Sequence, residues 1–339
     1  MLDIYSQTLE DLETYFENLN ENKAKAKILF RAISNGLTDF NKLYDIKKSL
    51  REKLSQDFYF NMPVCVKNLK SENVEKFLFS LYDDNIIESV LMRQTYGNSV
   101  CVSSQIGCNM ACDFCQSGKN KKVRNLTCSE MVSQVYYIKN SLNTPIKTIA
   151  IMGIGEPFDN YDEVTKFLDI ITNPYGMAIG STRLTLSTCG IVPKIYDFCN
   201  RDTIYNLAIS LHAPNDELRN KIMPINKAYG IEELIKSLMY YTEKTNKKVF
   251  VEYVMIKNIN DNLEQAKELA SILKDLKCTV NLIPYNTTDN DIYEQTDFDD
   301  IILFYRELRK YNIHATIRKE FGKEIDGACG QLRNKYLKD

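Results

Sequence analysis

The sequence lacks any long hydrophobic run. No apolar stretch in its 339 residues approaches the roughly 18 to 20 residues of a membrane-spanning helix. The first residues, MLDIYSQTLEDLETYF, carry acidic side chains where a secretory signal has a basic segment followed by an apolar one. The composition is 44% hydrophobic and 26% charged, which is that of a globular chain able to bury a large core. We therefore expect a cytoplasmic protein that does not cross a membrane.

Neither sign of charge is in marked excess. The chain has 43 Lys and Arg against 45 Asp and Glu, for a net charge of -2. This total neither favours nor excludes nucleic-acid binding, because a local basic patch can bind phosphate within a neutral protein. The run KNKKVR contains Lys119, Lys121, Lys122 and Arg124. Such a run is ordinarily a solvated face, but its position just beyond a cysteine cluster makes phosphate contact a rival interpretation.

Histidine is scarce, whereas cysteine is not: the chain has two of the former and ten of the latter. Most cysteines are scattered singly through apolar patterns in a chain too long for a disulfide scaffold, so most are expected to be reduced core residues. Cys108, Cys112 and Cys115 differ, because three thiols fall within one short loop. Three thiolates suit an iron-sulfur cluster with one open iron. The alternatives are plain core cysteines or a zinc site completed by a residue such as Cys101 or Cys128.

The pattern of apolar residues changes along the chain. Residues 1–85 predict short helices and a small helical accessory domain, and residues 86–339 predict a second domain. In the latter, β-branched runs alternate with amphipathic segments. The predicted strands are SVCVSS, KTIAIM, RLTLST, IYNLAIS, VFVEYVMI, TVNLIP and HATIR, and the predicted helices lie near 129–140, 161–172, 193–200, 230–245, 262–276 and 297–312. Six consecutive βα units predict a parallel α/β sheet, either a partial barrel or a doubly wound sheet.

Polar residues follow the ends of these predicted strands, which in parallel α/β folds is the rim that binds ligands. Glu156 in MGIGEP can accept a hydrogen bond from an ammonium or ribose hydroxyl, and the glycines beside it would let backbone approach a ligand, although such a turn is commonly only a turn. His212 in SLHA is either a site residue or a satisfied structural histidine. Cys329 in IDGACGQL has small neighbours that suggest an accessible thiol, against the alternative of a buried cysteine.

A set of motifs resembles, in order and spacing, the RlmN/Cfr family of radical S-adenosylmethionine RNA methyltransferases. The resemblance spans residues 86 to 332 and rests on CVSSQIGCNMACDFC, VRNLT, MGIGEP, LSTCGIVP, SLHAPND with RNKIMPI, VNLIPYN and IDGACGQL. It implies a partial (β/α)6 radical SAM barrel behind a small helical N-terminal domain. It also implies methylation of one adenosine in the peptidyl-transferase region of 23S ribosomal RNA by a monomeric enzyme with an electron donor such as flavodoxin or ferredoxin.

The resemblance implies roles for individual residues. Cys108, Cys112 and Cys115 would hold a [4Fe-4S] cluster whose open iron binds S-adenosylmethionine, two molecules of which would be consumed per turnover. Cys329 would carry a methyl group taken from the first molecule, and Cys101 would later attack the Cys329 sulfur to release the methylated base. Glu88 would be the general base. The other residues of the S-adenosylmethionine site would be Gly155, Glu156, Ser187, Ser210, Leu211, His212 and Asn286.

The position methylated on the adenine is left open by the residues. Pro157 and Pro284 are closer to the RlmN side of the family, which methylates carbon 2 and includes enzymes acting on transfer RNA. The FG of EFGKEID is closer to the Cfr side, which methylates carbon 8, and QSGKNKK departs from the common family sequence after the cluster. Carbon 2 is the prediction. Two rival functions are a radical enzyme acting on another substrate class and a zinc module that binds RNA without catalysis.

Overall fold

The computed structural model describes residues 1–287, 292–318 and Tyr336. The N-terminal part contains a two-stranded parallel pair and three helices. Their bounds are β1 (Leu2–Asp3), α1 (Leu9–Asn18), α2 (Ala24–Ser34), α3 (Lys48–Asp57) and β2 (Phe58–Tyr59). A capping box starts α1, in which Thr8 and Asp11 each accept the other's backbone N–H. The helices bury apolar faces that include Leu12, Phe16 and Leu29.

A ten-stranded sheet forms the rest of the architecture. Its four N-terminal strands are β3 (Val64–Lys70), β4 (Val74–Ser80), β5 (Ile86–Gln94) and β6 (Gly97–Val102), which pair antiparallel in that order. A short antiparallel pair, β7 (Gln105–Ile106) with β8 (Arg124–Asn125), follows. The remaining elements are α4 (Cys128–Ser141), β9 (Ile146–Ile151), α5 (Tyr161–Thr172), β10 (Leu184–Thr188), α6 (Val192–Cys199), β11 (Asn206–Ser210), α7 (Asp216–Ile222), α8 (Ile231–Thr245), β12 (Val249–Met255), α9 (Leu263–Leu273), β13 (Cys278–Pro284), α10 (Phe298–Lys310) and β14 (Ala315–Ile317).

Strands β6, β9, β10, β11, β12, β13 and β14 run parallel and adjacent in chain order. Each is joined to the next through at least one helix, which is the repeated βα crossover. The central strands are buried on both faces, as expected for a parallel sheet covered by helices. The chain therefore forms the predicted α/β partial barrel of six βα units, and its carboxyl-end rim gathers the loops that follow β6, β9, β10, β11, β12 and β13.

The prediction of helices over residues 1–85 is correct only through Asp57. Residues 64–70 and 74–80 are strands of the same sheet as the barrel. The pattern was ambiguous because Glu75 and Lys76 occupy buried positions in β4, where the sequence alone suggests solvent-facing side chains. The division at residues 85 and 86 stays a prediction.

The N-terminal helices pack on α4. The Ser34 hydroxyl lies 3.0 Å from the Tyr136 hydroxyl, and Lys139 donates to the Ser34 carbonyl at 2.5 Å. One apolar core runs from α1 and α2 into the barrel without interruption. In the part of the chain that the structure describes, no helix has both the length and the hydropathy needed to cross a bilayer.

Candidate active site

The cysteine loop leaves β7 and returns into β8, so it is closed at its base by a β pair. Gly107 has φ +76°, and a side-chain carbon there would collide with the Lys121 carbonyl oxygen, so only glycine fits. Inside the loop, Cys108 donates its N–H to the Asn120 carbonyl at 2.9 Å, and Cys115 donates to the Cys112 carbonyl at 3.1 Å. Hydrogen bonds and close packing within the loop therefore fix its backbone conformation.

The thiols of the loop lie close to one another: Cys108 is buried, and Cys112 and Cys115 are partly buried. Burial raises the pKa of Cys108 to about 12 and raises that of Cys112 further, and negative charge on a neighbouring thiol adds to both shifts. Free thiols at Cys108 and Cys112 are thus protonated at neutral pH, and a bound cation would stabilise them as thiolates. Among residues 1–287 and 292–318, no three Cys, His, Asp or Glu side chains converge on one point as a single metal ion requires. Binding each thiolate to a different iron needs no such convergence, so the donor set fits an iron-sulfur cluster.

A cavity of about 400 Å³ lies beside the loop at the carboxyl ends of the strands. It is lined by Cys112 and Cys115 and by residues from eight strands or the segments after them. The predicted site residues that line it are Glu88, Cys101, Gly155, Glu156, Ser187, Ser210, His212 and Asn286. Residues predicted from motifs scattered over nearly two hundred positions of sequence thus meet around one cavity.

Two predicted residues of the described part of the chain, Cys108 and Leu211, are not among those that line this cavity. Cys108 is buried beside it. The Leu211 side chain is fully buried in the main core, and its backbone N–H donates to the Glu252 carbonyl at 3.1 Å. Cys329 lies outside the described residues, and its predicted role stays a prediction.

Glu156 is held by backbone. One carboxylate oxygen accepts the Phe158 N–H at 3.0 Å and the other accepts the Cys189 N–H at 2.8 Å. Burial raises the pKa of this carboxyl, whereas the two N–H groups oppose that shift. Side-chain hydrogen bonds from Thr188 and Cys189 oppose the shift in pKa as well. The carboxylate lines the cavity, where a ligand ammonium or hydroxyl could approach it.

Gly155, the residue before Glu156, is required for a reason other than the approach of backbone to a ligand that the sequence suggested. Gly155 has φ +109°, and a side-chain carbon on it would lie 2.6 Å from the Cβ of Gln105. The glycine is required because this turn packs against the segment that follows β6, and it adopts a conformation that other residues rarely take. Gln105 also accepts the Glu156 N–H at 2.8 Å. Close packing of two strand-end loops, more than approach of a ligand, therefore explains the glycine.

His212 is a neutral histidine with a fixed tautomer. Its Nδ1 accepts the Val254 N–H at 3.0 Å, so the ring hydrogen is on Nε2. Burial, with the charge of Arg219 as the second cause, lowers the pKa of His212 to about 3. The ring makes an edge contact with Phe114, between the second and third cysteines, at a centroid distance of 4.8 Å. His212 is therefore hydrogen-bonded within the protein and also lines the cavity, and its role in a ligand site stays a prediction.

Cys101 and Glu88 face the same cavity from adjacent antiparallel strands. Cys101 pairs with Val90 in the β5–β6 register, which places Glu88 two residues away on the same face. Burial raises the pKa of the Cys101 thiol to about 11, and the charge of Glu88 adds to that shift. Glu88 forms an ion pair with Lys76 at 3.1 Å, with both side chains almost completely buried. The sequence analysis did not identify Lys76, a buried cation that pairs with this carboxylate.

Other charged residues at the site were also missed. Glu252 and Arg318 line the cavity, and Glu252 accepts the Asn281 amide at 3.0 Å while burial raises its pKa. Arg219, in the RNKIMPI segment, is fully buried behind the cavity wall. A charged residue inside a strand of apolar neighbours, as in VFVEYVM, is the one signal that could have identified Glu252.

The basic run is partly structural. Arg124 makes a bidentate pair with Glu130 at 2.7 and 2.8 Å and a further pair with Asp83 at 2.7 Å. Lys122 pairs with Asp159 at 2.6 Å. Glu130 also caps α4 with Thr127, so Arg124 joins the cysteine loop to the start of that helix. Lys121 is exposed. The two interpretations of this run, a solvated face and a phosphate contact, therefore suit Lys121 better than the paired Lys122 and Arg124.

Comparisons with known proteins agree with this site. A model of the Radical SAM superfamily matches residues 102–271, and a model of the ribosomal RNA large subunit methyltransferase N-terminal domain matches residues 2–59. The chain is 46% identical, over the full length of both chains, to a probable dual-specificity RNA methyltransferase RlmN of Caldanaerobacter subterraneus subsp. tengcongensis. It is 44% identical, again over the full length of both, to a protein of the same name from Clostridium novyi.

The fold also matches a solved structure. A crystal structure of a radical SAM methyltransferase from Sphaerobacter thermophilus superimposes with a TM-score of 0.92 at 35% identity, covering 98% of this chain and 99% of that one. Membership of the superfamily implies a [4Fe-4S] cluster and S-adenosylmethionine, and the buried thiols and cavity described above fit both. The protein is therefore a member of the RlmN family of radical SAM RNA methyltransferases.

Proposed function

We propose that this chain methylates carbon 2 of one adenosine in the peptidyl-transferase region of 23S ribosomal RNA, and of an adenosine in transfer RNA, through a methylated Cys329. The observation that carries the proposal is the cavity itself. It brings Cys112, Cys115 and the Glu156 carboxylate together with Cys101 and Glu88. The relatives named as dual-specificity RNA methyltransferases support the two classes of RNA.

The cluster side of the cavity binds the methyl donor. Cys108, Cys112 and Cys115 would hold the cluster, and Glu156, Ser187, Ser210 and Asn286 would bind S-adenosylmethionine, with backbone at Gly155 and Leu211 and the Nε2 hydrogen of His212 adding contacts. When bound, these groups supply a reductively generated carbon radical, which can functionalise an aromatic carbon that no simple nucleophile alkylates. One S-adenosylmethionine would methylate Cys329 and a second would be cleaved in each turnover. The chain orients the reacting groups and excludes water.

The opposite side of the cavity completes the reaction. A base must remove the ring proton from the adenine carbon bonded to the Cys329 methylene, and the Glu88 carboxylate is held on the same face as Cys101. Cys101 would then form a disulfide with Cys329 while the sulfur–carbon bond breaks, and the released carbon takes up a proton to become a methyl group. The electron pair lost by the two cysteines goes to that carbon, so a thiol reductant must restore them. Because burial raises the pKa of Cys101 to about 11, its thiol needs a base to become a nucleophile.

Mass spectrometry of nucleosides tests the product. Ribosomal RNA and transfer RNA lacking the modification are incubated anaerobically with reconstituted enzyme, S-adenosylmethionine and a reducing system. 2-Methyladenosine is expected in both RNAs, and 8-methyladenosine as the sole product would refute the proposed position. Iron, sulfide and zinc are measured on the same sample, and one zinc without sulfide would refute the radical enzyme.

Matched cysteine variants test the relay. Cys329→Ala should abolish methylation, whereas Cys278→Ala, at the amino end of β13 and away from the cavity lining, should retain it. Cys101→Ala should accumulate a covalent complex of protein and RNA, because the step that breaks the sulfur–carbon bond is lost. Methylation by Cys329→Ala at the wild-type rate would refute the methyl relay.

A further inference from the structure

Arg219 is a fully buried cation behind the wall of the cavity. It lies in the middle of α7, and three of its hydrogen bonds are donated to backbone carbonyls. Its Nε donates to the Leu211 carbonyl at 3.1 Å, and one terminal nitrogen donates to the carbonyls of Cys189 at 2.7 Å and Ser210 at 3.0 Å. The other terminal nitrogen donates to the side-chain oxygen of Asn226 at 2.9 Å. One guanidinium therefore joins the ends of β10 and β11, the strands that carry Ser187 and Ser210.

The charge of Arg219 has no carboxylate partner at ion-pair distance within residues 1–287 and 292–318. Asp216 is reached only through Asn226, whose amide donates to it at 2.8 Å. Desolvation is the largest influence on Arg219 and lowers its pKa, because a buried cation loses its hydration. Neutral carbonyls replace that hydration only in part. A buried cation with this surrounding is stabilised by any negative charge that the site acquires.

The site that acquires negative charge is adjacent. The backbone N–H of Asp113, between two of the cluster cysteines, donates to the carbonyl of Ile222 at the end of α7, at 3.0 Å. Cys112 packs against a small apolar cluster that includes Ile222, at the end of the helix that carries Arg219. The guanidinium thus lies under the cysteine loop without lining the cavity.

We propose that Arg219 is a positioning residue that favours the reduced state of the cluster through its buried charge while holding two strand-end loops in place. Three thiolates around an oxidised [4Fe-4S] core carry one net negative charge, and one-electron reduction adds a second. A nearby fixed cation stabilises the more negative state more strongly, so it raises the reduction potential. The inference rests on the cluster of the proposed function.

Charge-changing variants of Arg219 and of Asp216, which are linked through Asn226, test the effect of this charge on the potential. The one-electron midpoint potential of the reconstituted cluster is measured by electron paramagnetic resonance during a reductive titration, without RNA and without turnover. Arg219→Gln should lower the ratio of reduced to oxidised cluster about tenfold at a fixed potential, which is a shift of about 59 mV. Asp216→Asn keeps the shape of its side chain but removes a negative charge near Arg219. It should move the ratio in the opposite direction, by roughly twofold to threefold because Asp216 is farther away.

Two further variants separate charge from structure. Arg219→Lys should keep most of the wild-type potential while lowering the thermal midpoint, because it retains the charge but loses the fork of hydrogen bonds. Arg201→Gln removes the same charge after α6, at the amino ends of the strands, and should leave the potential unchanged.

Wild-type potentials in both Arg219→Gln and Asp216→Asn would overturn the proposal and leave Arg219 as a structural link only. If Arg219→Gln does not fold, Asp216→Asn decides alone, and the absence of an upward shift overturns the proposal. Iron and sulfide are measured on every sample, because loss of the cluster from the wild-type protein would instead contradict the proposed function.

Discussion

The buried pair of Lys76 and Glu88 gives the sharpest prediction about stability. Their charged atoms are 3.1 Å apart and the side chains are 0% and 1% exposed. Moving each ion out of water costs several kcal/mol, and the attraction between them largely offsets that cost. Replacing Lys76 with Met leaves the Glu88 carboxylate without this cation, and we expect the free energy of unfolding to fall by about 3–5 kcal/mol.

The double variant Lys76→Met/Glu88→Leu removes both charges and keeps the volume. It should recover most of that loss and lie within about 1 kcal/mol of the wild type, because neither charge of this pair is left buried without the other. The exposed pair of Lys267 and Glu264, at 2.7 Å with side chains 42% and 78% exposed, is the control. Lys267→Met should cost less than about 1 kcal/mol, because water screens that pair.

Urea denaturation of the cluster-free protein under anaerobic conditions measures these differences. Tyrosine fluorescence reports unfolding, since the chain has 21 Tyr and no Trp. Midpoints are compared only among variants whose transitions have the same slope, so that the compared states expose the same surface. A cost for Lys76→Met no larger than that for Lys267→Met would refute the reasoning, as would a double variant as unstable as the single one.

Three further predictions concern individual residues. Gly155→Ala should lower the free energy of unfolding by about 1–3 kcal/mol, because Gly155 has a φ of +109° and contacts the segment after β6. Gly180 has open space around it, so Gly180→Ala should be neutral or stabilising. Equal unfolding midpoints for the two variants would contradict this. His212 binds a proton near pH 3 in the folded state, but near 6.5 when unfolded, so the unfolded state binds more protons between those values and stability should fall as pH decreases through that range. Urea midpoints should show that His212→Gln loses this slope of at most about 1.4 kcal/mol per pH unit, and an unchanged slope would contradict the assignment. Cys101, with a pKa raised from 9.0 to about 11, should react with iodoacetamide at pH 8 about 100-fold more slowly than a free thiol, as measured by peptide mass spectrometry; a rate within a few-fold of the free thiol would contradict its burial.

The barrel could be predicted from sequence because its signals are local. The alternation of β-branched runs with amphipathic segments gives β6, the strands from β9 to β14 and their parallel pairing, and Thr127 with Glu130 gives the start of α4. The positions of Glu156, Ser187 and His212 at strand ends follow from the same pattern, because parallel strands end on one rim. The strands β3 and β4 were missed for a related reason: Lys76 is polar at a buried position, and its partner Glu88 lies on another strand.

Arg219 and Gly155 owe their roles to contacts with distant segments, which a local sequence pattern does not reveal. An arginine in the helical sequence DELRNKI is most simply a solvent-facing residue, and its burial depends on carbonyls that β10 and the segment after β11 supply. A glycine in GIGEP indicates an unusual turn, but only the approach of Gln105 shows which neighbour requires it. In both cases the sequence marks the residue type, and the physical reason comes from a segment that is distant along the chain.

The polar residues of the rim divide into those that can meet a ligand and those that fix the backbone around it. Ser187, Ser210 and Asn286 line the cavity, whereas Arg219 donates only to backbone and to Asn226 behind it. This arrangement favours a site that accepts an electron. Dipoles and charges that are already fixed in place do not have to reorient when negative charge appears. A mobile cation would relax around either redox state and would discriminate less between them. The four hydrogen bonds that immobilise Arg219 are thus the same feature that lets its charge act on the reduction of the cluster.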